Sequence, residues 1–337
     1  MKYKASQTQE YLFENNNQTE LTRVTTFVNS FDEKESIRIK CEHEEFHIDN
    51  KVIYKKLTVS GKYIDEMYEA FNSYDYNELI FESGSWKSLV LADETAEKIT
   101  SLHLGTEFVE PGFLSQFKNL EELYIGGKFK SPLSFENLKR LKFLELTYSK
   151  TFNGLTDLEQ LETLKINGWK KKYFELGELK NLKYLSLRKP VGLMSLECIS
   201  KIPSIEYLEV YSAPELVDCN ALTKCEHLKY LRLESCKRLS NLEFIKSLDL
   251  LELALLTGTD IESASFLSPL KHLKSLAVGG GSKFTESDIS SLLSNHGLEY
   301  IRLDGTRYYK PKASDIVNQV SKKAKAYQPF QKYGLYI

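Results

Sequence analysis

Residues 205–210 read Ile205-Glu206-Tyr207-Leu208-Glu209-Val210, and residues 228–233 read Leu228-Lys229-Tyr230-Leu231-Arg232-Leu233. Apolar residues hold the first, fourth and sixth places of both hexamers. Toward the N-terminus the same signature returns as Leu182/Leu185/Leu187, Leu161/Leu164/Ile166, Leu141/Leu144/Leu146, Leu120/Leu123/Ile125 and Ile99/Leu102/Leu104. Toward the C-terminus it returns as Leu250/Leu253/Leu255, Leu273/Leu276/Val278 and Leu298/Ile301/Leu303. The first places recur at a nearly constant interval from Ile99 to Leu298, so the chain is an internal repeat rather than one globular core. Places 4 and 6 alternate with places 3 and 5, the period of two expected of a strand with one buried face. A further apolar residue follows at place 12 (Phe152, Leu193, Leu216, Leu239, Ile261, Phe284, Tyr309) and turns the chain back over the core. Apolar residues such as Phe244/Ile245/Leu248 and Phe266/Leu267/Leu270 close an outer wall.

The hexamer resembles the LxxLxL opening of the leucine-rich repeat, and the match covers residues 99–303, with weaker units at Tyr76/Leu79/Phe81 and Tyr54/Leu57/Val59. The resemblance implies an α/β solenoid, right-handed and curved, with a parallel concave sheet and short turns or 3₁₀ segments outside. Many members carry asparagine at place 9, where it satisfies the bend after the strand. Here that place reads Lys128, Ser149, Trp169, Pro190, Ala213, Cys236, Gly258, Gly281 and Thr306, so irregularity at the bend is expected.

A stack of repeats leaves an open apolar core at each end, which caps must cover. Residues 1–53 do not match the repeat, and Ile37/Ile39 and Phe46/Ile48 read as the two arms of a hairpin forming an N-terminal cap. The solenoid then runs over 54–309, with helical spacing at Tyr63 to Phe71 read as an outer-surface segment. Residues 310–337 read as a C-terminal cap: a helix from Ser314 to Ala326, N-capped by Ser314 and striped with Ile316, Val317 and Val320, then an aromatic tail with Tyr327, Phe330, Tyr333 and Tyr336.

Function in such a solenoid lives at strand places 3 and 5. Place 3 offers Phe143, Thr163, Tyr184, Tyr207, Tyr230, Glu252, Ser275 and Tyr300; place 5 offers His103, Tyr124, Glu145, Lys165, Ser186, Glu209, Arg232, Ala254, Ala277 and Arg302. Strands about 4.8 Å apart bring Tyr184, Tyr207 and Tyr230 into one column, flanked by Arg188, Tyr211 and Glu234. Tyrosine and arginine bury large area at low entropy cost and keep a polar tip, which suits protein contacts. The candidate binding set is therefore Tyr124, Phe143, Tyr184, Arg188, Tyr207, Glu209, Tyr211, Tyr230, Arg232, Glu234, Tyr300 and Arg302. Two plainer readings compete: tyrosines suit strands and stack on one another, and Glu209, Arg232 and Glu234 pair among themselves.

The 337 residues carry a formal net charge of −2, which gives no global pull toward nucleic acid or membrane. The charge is uneven, with a net of −7 over residues 1–98 and +6 over residues 307–337. No secretion signal, membrane-length apolar run, phosphate loop, dinucleotide fingerprint, HExxH or GxSxG motif appears. Gly279-Gly280-Gly281 ends a repeat strand and reads as a bend. Cys41, His43 and His47 share a strand face without a closed metal-ligand pattern, and the five scattered cysteines read as reduced thiols. A non-catalytic, cytoplasmic, monomeric protein-interaction module follows, with an unknown protein partner and no cofactor, metal, membrane or nucleic acid. An intracellular inhibitor or toxin-immunity protein, and a self-associating structural element, are the alternatives.

Overall fold

The computed structural model describes residues 3–14, 17–32, 37–48, 51–60, 75–86, 89–105, 107–108, 110–127, 129–148, 152–174 and 176–321. The chain divides into two compact units, Met1–Leu161 and Glu162–Ile337.

The first unit opens with four antiparallel strands, β1 (Tyr3–Glu14), β2 (Asn17–Asp32), β3 (Ile37–Ile48) and β4 (Lys51–Ser60), each paired with the next. The expected hairpin between Ile37/Ile39 and Phe46/Ile48 is absent. Those residues form the single strand β3, which pairs residue by residue with β2 on one side and, with a register shift at Phe46/His47, with β4 on the other. β4 then changes the sheet from antiparallel to parallel. It pairs with β5 (Glu78–Phe81), setting Leu57 beside Leu79 and Val59 beside Phe81, all four buried.

Two short strands, β6 (Ser85–Trp86) and β8 (Glu107–Phe108), pair with each other in the outer turns. A one-turn helix, α1 (Asp93–Ala96), precedes β7 (Ser101–Leu104), and β9 (Glu122–Ile125) and β11 (Phe143–Thr147) extend the parallel run. A second outer pair joins β10 (Leu133–Ser134) to β12 (Phe152–Asn153). Leu102, Leu104, Leu123, Ile125, Leu144 and Leu146 fill the core from one side of the strands.

The second unit holds parallel strands in sequence order: β13 (Thr163–Asn167), β14 (Tyr184–Arg188), β15 (Tyr207–Tyr211), β16 (Tyr230–Glu234), β17 (Leu253–Thr257), β18 (Ser275–Gly279) and β19 (Tyr300–Leu303). Between strands the chain returns through outer turns, several of them 3₁₀, such as Glu243–Ser247, whose Phe244 and Ile245 close the wall over the leucines. A terminal helix, α2 (Ala313–Ser321), packs Ala313, Ile316 and Val320 inward beside β19. It begins one residue before the expected start, so Ser314 is not the N-cap but lies in the first turn, its hydroxyl 3.3 Å from Asp315. The expected helical segment Tyr63–Phe71, the extension of α2 to Ala326 and the aromatic tail lie outside the described residues.

One repeat departs from the expected frame. The hexamer of β17 is not Leu250/Leu253/Leu255 but Leu251/Ala254/Leu256: Leu231 pairs with Ala254 and Leu233 with Leu256, and Leu251 is 0 % exposed against 37 % for Leu250. Leucines satisfy the signature in both frames, and alanine at place 4 hides the true one. The turn after β17 is one residue shorter, which restores the phase by Ile261, still bridged to Phe284.

The bend after the strand is regular across much of the second unit, contrary to the expectation drawn from the missing asparagines. Gly168, Lys189, Ser212, Ser235, Gly258 and Gly280, all at place 8 in the corrected frame, adopt φ between 51° and 79°. At Lys189, Ser212 and Ser235 this left-handed kink aims the N–H at the strand end of the next repeat. They donate to the carbonyls of Tyr211, Glu234 and Thr257, each at 2.7 Å. A backbone ladder thus replaces the side-chain ladder. Thr259 adds an asparagine-like contact: its Oγ1 accepts from the Cys236 amide and donates to the Cys236 carbonyl, both at 3.3 Å.

Candidate functional site

Strand alternation sends places 4 and 6 into the leucine core and places 3 and 5 to the opposite, open face. On the open face of the second unit the register aligns Tyr184, Tyr207 and Tyr230, and beside them Ser186, Glu209 and Arg232. The Tyr184 and Tyr207 rings stack at 4.2 Å and 3° from parallel, and Tyr230 continues the column at 6.0 Å and 34°. Lys165 brings its ammonium to 5.6 Å from the Tyr184 ring centroid.

Glu209 is buried next to the tyrosines and is held from three directions. Ser186 donates to it at 3.1 Å, Arg188 Nε donates at 3.1 Å, and Arg232 Nη1 lies 3.9 Å away. Arg232 also grips Glu234, with Nη2 to Oε2 at 2.6 Å. The mutual-pairing reading of these charges is thus realised in the free chain, and Tyr211 lies between Arg188 and Glu234 in the register. Burial first, and the Glu209 charge second, push the Tyr184 hydroxyl up to about 12; the same burial, with Tyr184 and Glu209 beside it, raises Tyr207. Both phenols are therefore neutral hydrogen-bonding groups at ordinary pH, not acids or nucleophiles.

Tyr300 and Arg302 stand apart from this group. They sit on β19, where the register separates Tyr300 from Tyr230 by Leu253 and Ser275. Glu252 and Ala254, expected on the open face, do not face that way. Glu252 lies at the strand edge, 3.0 Å from Lys274 Nζ, and Ala254 points into the core. Their places belong to Leu253 and Leu255, which the expected frame assigns to the core.

Tyr124 and Phe143 belong to the first unit and form a separate cluster there. Tyr124 stacks on His103 at 3.9 Å and 13°, and its ring is 4.7 Å from Phe143. His103 Nε2 lies 2.7 Å from Glu78, which also accepts from the Tyr54 hydroxyl at 3.1 Å. Burial drives the Glu78 carboxyl up, but the hydrogen bond and charge of His103 outweigh it, and the net position is below the usual carboxylate range. Glu122 accepts from Ser101 at 3.3 Å and Tyr124 at 3.4 Å. Sequence reasoning places His103 on the face without joining it to Glu78. The in-register spacing of Glu78, Ser101 and Glu122 is the signal that could have done so.

Cys219, Cys225 and Cys236 are buried free thiols whose pKa values burial raises, so none is an activated nucleophile. No described helix is long and apolar enough to cross a membrane.

The repeat and its geometry together define a leucine-rich-repeat fold: one strand per repeat, leucines on one side, 3₁₀ turns outside. Among solved structures, the chain is similar in fold to an internalin, InlF, from Listeria monocytogenes, at 17 % identity and a TM-score of 0.48 over 76 % of this chain and 91 % of that one. It is similar also to a leucine-rich-repeat protein of Leptospira interrogans, at 20 % identity and a TM-score of 0.44 over 74 % of this chain and 78 % of that one. The leucine-rich-repeat domain of the type III effector XopL matches at 16 % identity and a TM-score of 0.39, over 71 % and 75 % of the two chains. No protein-family model and no curated protein matches the sequence.

Proposed function

We propose that this protein is a non-catalytic interaction module that binds a protein ligand on the open face of its sheet, through the tyrosine column and its arginine flank. One observation carries the reading. Tyr184, Tyr207 and Tyr230 form a pre-stacked aromatic strip beside a carboxylate that two arginines already hold. Such a surface is rigid before contact, so little side-chain entropy is lost on binding, and arginine and tyrosine are the residues that most often dominate interface energy.

The test is affinity capture with the native chain and with Tyr184→Ala/Tyr230→Ala, leaving buried Tyr207 in place to protect the fold. A partner retained by the native chain and lost by the variant, at unchanged urea stability, is the expected result. Equal retention by both assigns binding to another surface. The protein itself is taken to be a cytoplasmic monomer, and a molar mass by light scattering that rises with concentration would favour self-association instead.

A further inference from the structure

Lysines at place 2 of the second unit are neutralised from the preceding repeat: Lys183 meets Glu162 at 3.7 Å, Lys229 meets Glu206 at 2.7 Å and Lys274 meets Glu252 at 3.0 Å. The bends after β13 and β14 are different. Lys170, Lys171, Lys172 and Lys189 are exposed there, and among the described residues none of them meets a carboxylate. The sequence supplies none locally, since residues 165–174 and 184–196 contain no Asp or Glu. The two bends touch directly. A Cβ at Gly192 would stand 2.3 Å from the Lys170 carbonyl oxygen, and the Met194 N–H donates to the Lys172 carbonyl at 3.1 Å. Backbone packing thus gathers four lysines in adjacent turns against their mutual repulsion. Exposed apolar side chains share the place, Tyr173 at 59 % and Val191 at 49 %, and the Lys172 ammonium lies 5.3 Å from the Tyr173 ring centroid. Lys189 also holds φ at 51°, where the neighbouring bends use Gly168 and Ser212. A long side chain is costly in that region, so the backbone does not select the lysine.

We propose that this flank is a second docking surface, separate from the tyrosine column, for an acidic segment of a protein partner, with Tyr173 and Val191 covered by an apolar side chain of that segment. Charge complementarity gives the sign of the occupant: uncompensated lysines draw carboxylates in and speed the encounter. The boundary of the patch gives its width. In the next repeat Glu215 pairs with Arg238, and Asp218 accepts from the Ser195 hydroxyl at 3.4 Å and the Asn220 amide at 2.9 Å. The cationic strip therefore ends after two repeats, about 10 Å across. A bilayer or a nucleic acid laid along the flank would press its own anions onto Glu215 and Asp218. A peptide one strand wide does not reach them. Exposed Tyr173 and Val191 also favour a peptide, whose apolar side chains can cover them, over a phosphate backbone, which has none.

The test uses the full chain and two fluorescein-labelled peptides followed by anisotropy: a decaglutamate, and a decapeptide of eight glutamates around two central leucines. The native chain should bind both, the leucine-containing peptide about three-fold more tightly. Lys170→Glu/Lys171→Glu/Lys189→Glu should weaken both about ten-fold or more. Lys201→Glu/Lys224→Glu/Lys271→Glu makes the same charge change on exposed lysines of the outer turns and should stay within about two-fold. Should the first variant fail to fold by circular dichroism, Lys170→Gln/Lys171→Gln/Lys172→Gln replaces it, with a loss of about five-fold expected. Tyr173→Ser/Val191→Ser should bring the leucine-containing peptide down to the affinity of decaglutamate. Tyr184→Ala/Tyr230→Ala should change neither affinity, so this surface and the tyrosine column are tested apart. Absence of binding by the native chain overturns the proposal, as do equal losses in the two glutamate variants. Tighter binding of a ten-nucleotide oligothymidylate or of phosphatidylserine vesicles through the same lysines also overturns it, by assigning the flank to another class of partner.

Discussion

Arg188 and Glu209 sit on neighbouring strands with Nε and Oε1 3.1 Å apart, yet the arginine side chain is 52 % exposed and the carboxylate 1 %. The pair is therefore asymmetric: the guanidinium can return to water and the carboxylate cannot. Arg188→Ala should cost about 1–2 kcal/mol in urea unfolding, since solvent screens the exposed guanidinium and Ser186 and Arg232 still hold the carboxylate. Arg188→Ala with Arg232→Ala should cost more than the two single changes together, about 3–5 kcal/mol, because a buried carboxylate is then left without a counter-charge.

The corrected frame of β17 makes opposite predictions for adjacent leucines. Leu251→Ala should destabilise by about 2–5 kcal/mol, the cost of a cavity in a closed core. Leu250→Ala should stay within about 0.5 kcal/mol of the parent. Equal losses at the two positions would refute the frame.

The left-handed bends give a second opposed pair. Ser235 holds φ at 56°, a region costly for any residue with a Cβ, so Ser235→Gly should raise unfolding stability by up to about 1 kcal/mol. Gly258 holds φ at 65°, and a Cβ there would stand 3.0 Å from the Ser235 backbone. Gly258→Ala should lower stability by about 1–2 kcal/mol.

Alkaline pH should release the tyrosine column. Tyr184 titrates at about 12 in the folded chain and near 10 when unfolded. The folded state thus binds this proton more tightly, and its contribution is complete below about pH 10 and lost as pH rises toward the folded value. Unfolding free energies measured across that window should fall, and Tyr184→Phe should flatten the slope. Glu209→Gln should lower the Tyr184 midpoint followed by phenolate absorbance, because the carboxylate is the second cause of the shift after burial.

Leucine spacing alone determined the architecture, since a signature recurring at nearly fixed interval admits few ways to bury its apolar side, and strand alternation placed Tyr184, Tyr207 and Tyr230 in one column before any coordinate was known. Spacing failed where leucines occupied both registers, at residues 250–256, because only pairing with β16 distinguishes them. It failed also at Ile37–Ile48, where two apolar pairs of opposite parity lie on one strand that is paired on both sides. Three features were left to tertiary structure: the backbone ladder at place 8, the capture of Glu209 by Arg188 and Arg232, and the burial of Leu253 and Leu255 on a face that should be wet. The ladder and the capture each depend on a neighbour in another repeat. Local sequence does not encode the orientation of a side chain or an N–H toward so distant a partner.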